Sequence, residues 1–243
     1  MARKTRTGVQ GLDKIMEGGF PERSNILIEG PSGVDKEVFG LKFLYNGLEE
    51  AVCFYAYYGQ TNVEIEKQFK NYGMDVTSAV KDKKIYWVDA SNSSEGDNVI
   101  NCDLKNLVTV SLALDQFVRT NSNKKIRGVI NLLSPALTIH DPIVLYIFLS
   151  RLIGIFKQAD ATVVFLLEEG MFNPTAVSAL EALYNVVIET KEGQKLTEGV
   201  EHEFEIMPMP TLQIRLPKKQ IKKIDKAVKE GIYPNRSEAV RDA

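Results

Sequence analysis

Residues 30–37 read Gly-Pro-Ser-Gly-Val-Asp-Lys-Glu. Their spacing resembles G-x-x-x-x-G-K-[ST], a loop whose backbone N–H groups cradle phosphates while its lysine reaches the outer phosphates. Gly30 and Lys36 are in register with that pattern, and Gly33 adds a further flexible position. These three residues are the candidate nucleotide-binding residues, and they predict a strand, a phosphate loop and a helix in that order.

Two positions of the loop depart from the pattern: Asp35 replaces the second glycine, and Glu37 replaces the Ser/Thr that holds magnesium. Aspartate adds a Cβ where glycine lets the backbone come close to phosphate. It also adds a negative charge, and two like charges about 4 Å apart cost about 4 kcal/mol at an effective dielectric constant near 20. We expect Asp35 to pair with Lys36 or to cap the following helix, and Glu37 to be an acid of its first turn.

The composition is that of a soluble globular protein, with 243 residues, 44% hydrophobic and 26% charged. That length allows one large domain and a small module. The two cysteines are too few for a disulfide framework or a zinc site. The N-terminus is basic without an apolar signal core, and no apolar run reaches the roughly 18–20 residues of a membrane span. We therefore expect a cytoplasmic protein with no membrane partner.

Strand-like and helical segments alternate along most of the chain. The predicted strands cover residues 26–29, 52–57, 85–88, 128–133, 162–167, 186–190 and 203–207. The predicted helices cover residues 35–49, 63–72, 104–118 and 142–158. This order predicts an α/β fold, with a mostly parallel central sheet between two helical layers and the last two strands as a terminal hairpin. Pro208 and Pro210 mark a linker, which divides the chain into domains at 1–208 and 209–243.

Short motifs in the larger segment resemble the KaiC-like proteins of the RecA superfamily. They are Thr7-Gly8, Gly11-Leu12-Asp13, Gly18-Gly19, Pro21, Gly30, Phe43-Leu44-Tyr45-Asn46-Gly47, Tyr72-Gly73-Met74-Asp75, Asp141-Pro142 and His202-Glu203-Phe204-Glu205-Ile206. The resemblance covers about residues 5–207 and implies a RecA-like sandwich. Active members of this family bind ATP at subunit interfaces and often form hexameric rings, so homo-oligomers are expected.

The same resemblance exposes three further departures. Asn131 follows an apolar run that in the family ends in an aspartate, and Gly59 and Gln60 match the family's paired water-activating acids. Residues 187–202 contain no Lys-x-Arg pair, which in active relatives reaches the neighbour's nucleotide. Because phosphoryl transfer depends on positioning and charge stabilisation, five altered parts predict a pseudo-ATPase. We expect no enzyme activity, no catalytic residue, no metal site and no cofactor beyond weak ATP binding.

The end of the chain has a different pattern. Residues 211–216 alternate apolar and polar, residues 218–230 have helical spacing, and Asn235 with Glu238 forms a capping box before a second helix. This resembles the ribbon-helix-helix family of CopG-, Arc- and MetJ-like DNA-binding dimers. About 33 residues cannot bury a core alone, whereas two copies that pair their strands can. The second helix has about seven residues before Ala243, fewer than that family uses.

The tail has the charge and the side chains of a DNA reader. Its nine basic and four acidic residues give it a net charge of +5, against −2 for the whole chain. A two-stranded ribbon fits the major groove, where Arg reads guanine and Gln reads adenine, and a helix N-terminus holds phosphate. The candidate DNA-binding residues are Thr211, Gln213, Arg215, Asn235, Arg236 and Ser237. The alternatives are a dimerisation or protein-docking tail, or a solvated lysine face.

Together these patterns favour an inactive RecA-like domain fused to a DNA-binding tail. The expected function is a transcriptional regulator whose large domain supplies oligomerisation or senses a signal. Its expected partners are DNA, a second copy through the tail, and an active relative of the same family. The alternatives are an ATP-binding or weakly active ATPase in signalling or DNA metabolism, and a scaffold that assembles with an active paralogue.

Overall fold

The computed structural model describes residues 3–31, 34–170, 173–191, 211–214 and 229. The strands are β1 (Lys4–Thr5), β2 (Phe20–Pro21), β3 (Asn25–Gly30), β4 (Val52–Tyr57), β5 (Ile85–Asp89), β6 (Val99–Asn101), β7 (Ile126–Ile130), β8 (Thr162–Glu168), β9 (Val186–Lys191) and β10 (Thr211–Ile214). The helices are α1 (Gln10–Ile15), α2 (Val34–Tyr45), α3 (Asn62–Asn71), α4 (Thr77–Lys81), α5 (Leu107–Thr120), α6 (Leu133–Ile139), α7 (Pro142–Gln158) and α8 (Pro174–Glu181).

Eight of these strands form one sheet in the order β10-β9-β3-β8-β7-β4-β5-β6. Neighbouring strands are parallel except β10, which is antiparallel to β9. Strands β1 and β2 form a separate antiparallel pair. The predicted α/β fold with a mostly parallel central sheet is confirmed.

Buried side chains form one core on each side of the sheet. Successive residues of a strand point to opposite faces, so Phe54 packs on Phe117 and Phe156 of α5 and α7, while Tyr55 belongs to the core on the other face. β3, β4 and β7 are buried along their whole length. Strands that are covered on both faces consist of nearly continuous apolar residues, so these three strands could be predicted from the sequence.

Helix starts follow local capping chemistry. The Asp141 carboxylate accepts a hydrogen bond from the backbone N–H of Ile143 at 2.8 Å, and Pro142 occupies the first helical position. Thr61 and Glu64 form a capping box at the start of α3. The predicted start of α7 is confirmed to the residue.

The strand predicted at 128–133 is wrong at its end. β7 stops at Ile130, and α6 begins at Leu133. Leu132 and Leu133 are buried, and a short apolar run cannot distinguish a buried strand from a buried helix. Asn131 therefore lies just beyond the strand.

The edge of the sheet also differs from expectation. The predicted hairpin partner of β9, residues 203–207, lies outside the described residues, and the partner in the structure is β10. The strand expected to pair with a second copy is thus bonded to its own chain. An edge strand has unpaired N–H and C=O groups that can bind any extended segment, and β10 takes that position. The division of the chain at 208–209 stays a prediction.

Arg127 is a buried cation on β7 that fastens the N-terminal segment. Its side chain is 4% exposed and forms an ion pair with Glu50, which is 51% exposed. Its guanidinium donates to the carbonyl of Arg6 at 3.1 Å and of Phe43 at 3.3 Å, and lies 5.3 Å from the Phe43 ring centroid. The carbonyls of Arg6 and Phe43 therefore both accept hydrogen bonds from this one side chain.

Arg127→Met should lower the free energy of unfolding by about 2–4 kcal/mol, because methionine keeps the aliphatic length but leaves those carbonyls unpaired. Lys125→Ala is the matched control. Lys125 is 53% exposed and bonds Glu22 at 3.2 Å, so its loss should cost less than about 1 kcal/mol. Urea denaturation of both variants measures the difference, and equal losses would show that Arg127 is not a fastening residue.

Among the residues that the structure describes, no helix is long and apolar enough to cross a membrane.

Candidate functional site

The phosphate loop begins at the carboxyl end of β3, in the middle of the sheet. Gly30 is the last residue of β3 and lies opposite Glu168 of β8. The backbone N–H of Glu169 donates to the Gly30 carbonyl at 2.7 Å. Helix α2 begins at Val34, so its N-terminus follows the loop as predicted. Gly33 lies outside the described residues.

Lys36 is the cation of this loop. It lies in the first turn of α2, is 5% exposed, and its Nζ donates to the carbonyl of Pro31 at 2.9 Å. An ammonium carries three donors, so a buried lysine bonded to one loop carbonyl keeps donors for an anion. Nucleotide binding by Lys36 stays a prediction.

Gly30 is required by a close contact with β9. A Cβ at this position would collide with Oγ1 of Thr190. The same hydroxyl donates to the carbonyl of Glu29 at 3.1 Å. Thr190 had no motif around it in the sequence, because its role comes only from the pairing of β3 with β9.

Gly30→Ala should lower the free energy of unfolding by about 1–3 kcal/mol, because the added methyl group overpacks this contact. Gly154→Ala is the matched control, since a Cβ at Gly154 meets nothing within 4 Å. In the interior of α7, that change should raise stability by about 0.5–1 kcal/mol. Thermal or urea unfolding measures the change in stability of each variant. A Gly30→Ala variant as stable as the native chain would contradict the close contact with Thr190.

Asn131 and Glu37 both act on Tyr55, the first through a hydrogen bond and the second through its charge. Nδ2 of Asn131 donates to the Tyr55 hydroxyl at 3.2 Å. Burial raises the pKa of Tyr55, and the nearby negative charge of Glu37 raises it further. The tyrosine therefore stays a neutral phenol between an amide and a carboxylate. Tyr55 itself is buried, and it hydrogen-bonds Asn131, one of the altered positions.

Gly59 and Gln60 lie in the turn after β4. Gly59 has a positive φ of 75°, and its N–H donates to Ser91 Oγ at 3.4 Å. The carbonyl of Gln60 accepts from Ser93 Oγ at 3.4 Å. These two hydrogen bonds connect the turn to the loop after β5.

Asp89 anchors that loop. Both of its carboxylate oxygens accept hydrogen bonds from Ser91 and Ser93, at 2.6–3.0 Å. Burial alone would raise the pKa of Asp89, but these hydrogen bonds outweigh it and hold the pKa below its ordinary value. These hydrogen bonds hold the loop beside Gly59 in place, and no sequence motif predicted them.

The tail residues are described only in part. Thr211 and Gln213 lie in β10, whereas Arg215, Asn235, Arg236 and Ser237 lie outside the described residues. Lys229 is helical and exposed, which agrees with the helix predicted at 218–230. Asp35 lies in the first turn of α2.

The donors present fit a nucleotide phosphate. Lys36 and the start of α2 would hold the phosphates, as the spare donors of the buried ammonium indicate. Among the described residues, no three His, Cys, Asp or Glu side chains converge as a metal site.

Comparison with known families accounts for nearly the whole chain. The family described as "ATPase: KaiC" matches residues 5–209. The family described as "Ribbon-helix-helix protein, copG family" matches residues 211–243. Both family resemblances inferred from the motifs are thus confirmed.

Individual relatives agree with the first match. A UPF0273 protein of Sulfurisphaera tokodaii is 29% identical over 204 residues, which are 79% of this chain and 71% of that protein. The circadian clock oscillator protein KaiC of Synechococcus elongatus is 34% identical over 99 residues, 40% of this chain but 19% of that protein. A KaiC-like protein from Pyrococcus horikoshii OT3 has a solved structure with a TM-score of 0.68 at 22% identity, covering 90% of each chain. That structure supports the fold alone.

The prediction that the chain is not an enzyme is contradicted by these findings. An ATPase family model covers the whole segment that contains the altered motifs. A UPF0273 protein of Pyrococcus furiosus is 30% identical to this chain over 132 residues, which are 52% of this chain and 53% of that protein. The prediction treated each substitution as a separate loss. In the structure Asn131 donates a hydrogen bond to the Tyr55 hydroxyl, and the charge of Glu37 acts on the same tyrosine, so these two altered positions are not independent.

Proposed function

The chain belongs to the KaiC ATPase family and carries a ribbon-helix-helix tail, and from this we propose that it is a DNA-binding regulator whose KaiC-type domain senses ATP. The observation that carries the proposal is the arrangement of two family matches in one chain, 5–209 and 211–243. One class provides a nucleotide site, and the other provides a DNA-reading dimer. Regulation of transcription is the expected use of such a combination.

The tail supplies the DNA contacts in this proposal. Thr211, Gln213 and Arg215 occupy alternate positions of a strand, so they share one face. When two tails pair, that face enters the major groove with Arg and Gln as base readers. The start of the second helix, at Asn235, Arg236 and Ser237, then lies against phosphate.

In this proposal the large domain senses the signal, which is ATP. Within the same proposal, the buried Lys36 binds ATP phosphates at the carboxyl edge of the sheet, and doubly wound sheets bind ligands at that edge. Homo-oligomers beyond the tail dimer and a cytoplasmic location stay predictions of this proposal, as does an active paralogue as partner.

Selection of DNA from sheared genomic fragments tests the proposal. The purified full chain is incubated with fragments at about 0.15 M salt, the physiological ionic strength. We expect a small set of fragments to be enriched reproducibly. Uniform recovery of all fragments, or none, would reject sequence-specific DNA binding and favour a docking tail.

A second candidate function is an ATPase in signalling or DNA metabolism, which the KaiC family match favours. Magnesium-dependent phosphate release that disappears in Lys36→Ala would support it, because Lys36 is the buried cation beside the loop, where its Nζ bonds the Pro31 carbonyl. Turnover without any DNA selection would make this the better description. Co-purification of an active relative without DNA would instead support a scaffold.

A further inference from the structure

The four residues of β10 have two roles that compete. Residues 211–214 are the start of the ribbon-helix-helix match, whose first strand pairs with a second copy. In the structure the same residues pair antiparallel with β9, with Leu212 opposite Thr190 and Gln213 opposite Glu189. β10 is the last strand of the sheet.

Pairing with β9 prevents this strand from reading DNA. Neighbouring strands lie about 4.8 Å apart, and the major groove is about 12 Å wide, enough for a two-stranded ribbon. A ribbon still bonded to β9 continues into the eight-stranded sheet of each protomer, which is far wider than the groove. The strand must therefore leave β9 before a dimer of tails can enter DNA.

The phosphate loop is one strand away from this contact. Thr190 lies opposite Leu212 on one side. On its other side, its hydroxyl bonds the Glu29 carbonyl and lies where a Cβ of Gly30 would be. Any shift of the loop when phosphate binds the remaining donors of Lys36, which already bonds the Pro31 carbonyl, therefore reaches the strand that holds β10.

We propose that residues 211–214 alternate between two partners: β9 of their own chain, in a form that does not read DNA, and the same strand of a second copy, in the form that does. This inference rests on the proposed function, because it assumes that the tail binds DNA. It adds that the KaiC-type domain restrains the tail by holding its strand, with Thr190 as the link to the nucleotide loop.

An intrachain disulfide tests the proposal directly. Directly opposed residues of an antiparallel pair have Cα atoms about 4.5–5.5 Å apart, within the range that a disulfide spans. Glu189→Cys/Gln213→Cys should therefore crosslink within one chain on mild oxidation. The native Cys53 and Cys102 are buried, and burial raises the pKa of both thiols to about 12, so they react slowly.

The comparison is between oxidised and reduced forms of one variant, bound to a fragment that the native chain selects. The oxidised form should lose affinity by about 10³-fold or more, the usual gap between specific and non-specific binding. Reduction should restore it. Ile188→Cys/Ile214→Cys, a second opposed pair that leaves the predicted base readers intact, gives the same comparison if Gln213→Cys itself weakens binding.

Two outcomes would overturn the inference. Failure of both pairs to form an intrachain disulfide would mean that β10 does not dock on β9 in solution. Full DNA affinity of the oxidised form would mean that docking does not restrain the tail. Failure of the proposed function is distinguishable, because then the native chain selects no fragment while the disulfide still forms.

Discussion

Gln213→Ala/Arg215→Ala should abolish the preference of the chain for its selected fragments. In the proposed DNA complex each of these side chains makes a bidentate contact with one base, and such contacts contribute about 1–3 kcal/mol of discrimination apiece. Affinity for a selected fragment should therefore fall by about 2–6 kcal/mol in total, while affinity for random DNA changes much less. Fluorescence anisotropy with both duplexes measures the two affinities.

Lys222→Ala is the control for this experiment. A lysine that contacts phosphate carries no sequence information, so its loss should weaken binding to both duplexes alike. If the double variant keeps the fragment preference, the strand at 211–216 is not the reader. If Lys222→Ala removes the preference instead, recognition lies on the helix.

The second large effect is expected at the phosphate loop. Asp35→Gly/Glu37→Thr should tighten ATP–magnesium binding by about 10²–10³-fold, because it removes two negative charges from the phosphate site. One such charge at about 4 Å opposes phosphate by about 4 kcal/mol. Threonine also restores the hydroxyl that holds magnesium in this loop pattern. Isothermal titration of the native and altered chains gives the affinities, and phosphate release gives the turnover of each.

Adding Lys36→Ala to that variant should abolish the gain, since the buried ammonium is the cation that the phosphates meet. Thermal unfolding should accompany both measurements, because glycine in a helix costs up to about 1 kcal/mol. An unchanged ATP affinity in a folded Asp35→Gly/Glu37→Thr chain would show that these two acids do not face the nucleotide.

Much of the fold was predictable because its strands are buried on both faces. β3, β4 and β8 appear in the sequence as apolar runs of the right length, and α7 begins at an Asp-Pro pair that both caps and starts a helix. Strands β1, β2 and β6 have two or three residues each, too few for any period to be detected. Helix α6 was missed because its apolar start continues the run of β7.

The sequence predicted only those site residues that lie close together along the chain. Gly30 and Lys36 belong to one loop, so their spacing identified them. The Tyr55–Asn131 hydrogen bond joins β4 to the residue just after β7, and these two residues are 76 positions apart in the chain. The contact of Thr190 with Gly30 joins residues whose relation depends on strand order. Residues that are distant along the chain leave no local pattern in the sequence when they pair. Their contacts in the structure changed the interpretation of the altered motifs.

The pairing of β10 with β9 was the least predictable feature. An alternating strand of four to six residues fits any free sheet edge, so its sequence does not distinguish its own β9 from the tail of a second copy. The ribbon-helix-helix match and the structure therefore assign the same residues to two partners. The proposed alternation accommodates both.

The most direct test of this account is the affinity of the native full chain for a selected DNA fragment, measured with and without saturating ATP–magnesium. In the proposed function ATP binds the remaining donors of Lys36, which already bonds the Pro31 carbonyl next to the strand that holds β10. The account predicts tighter DNA binding with ATP, by about fivefold or more, the usual range of coupling between sites. Equal affinities, with ATP binding verified in the same sample, would contradict it.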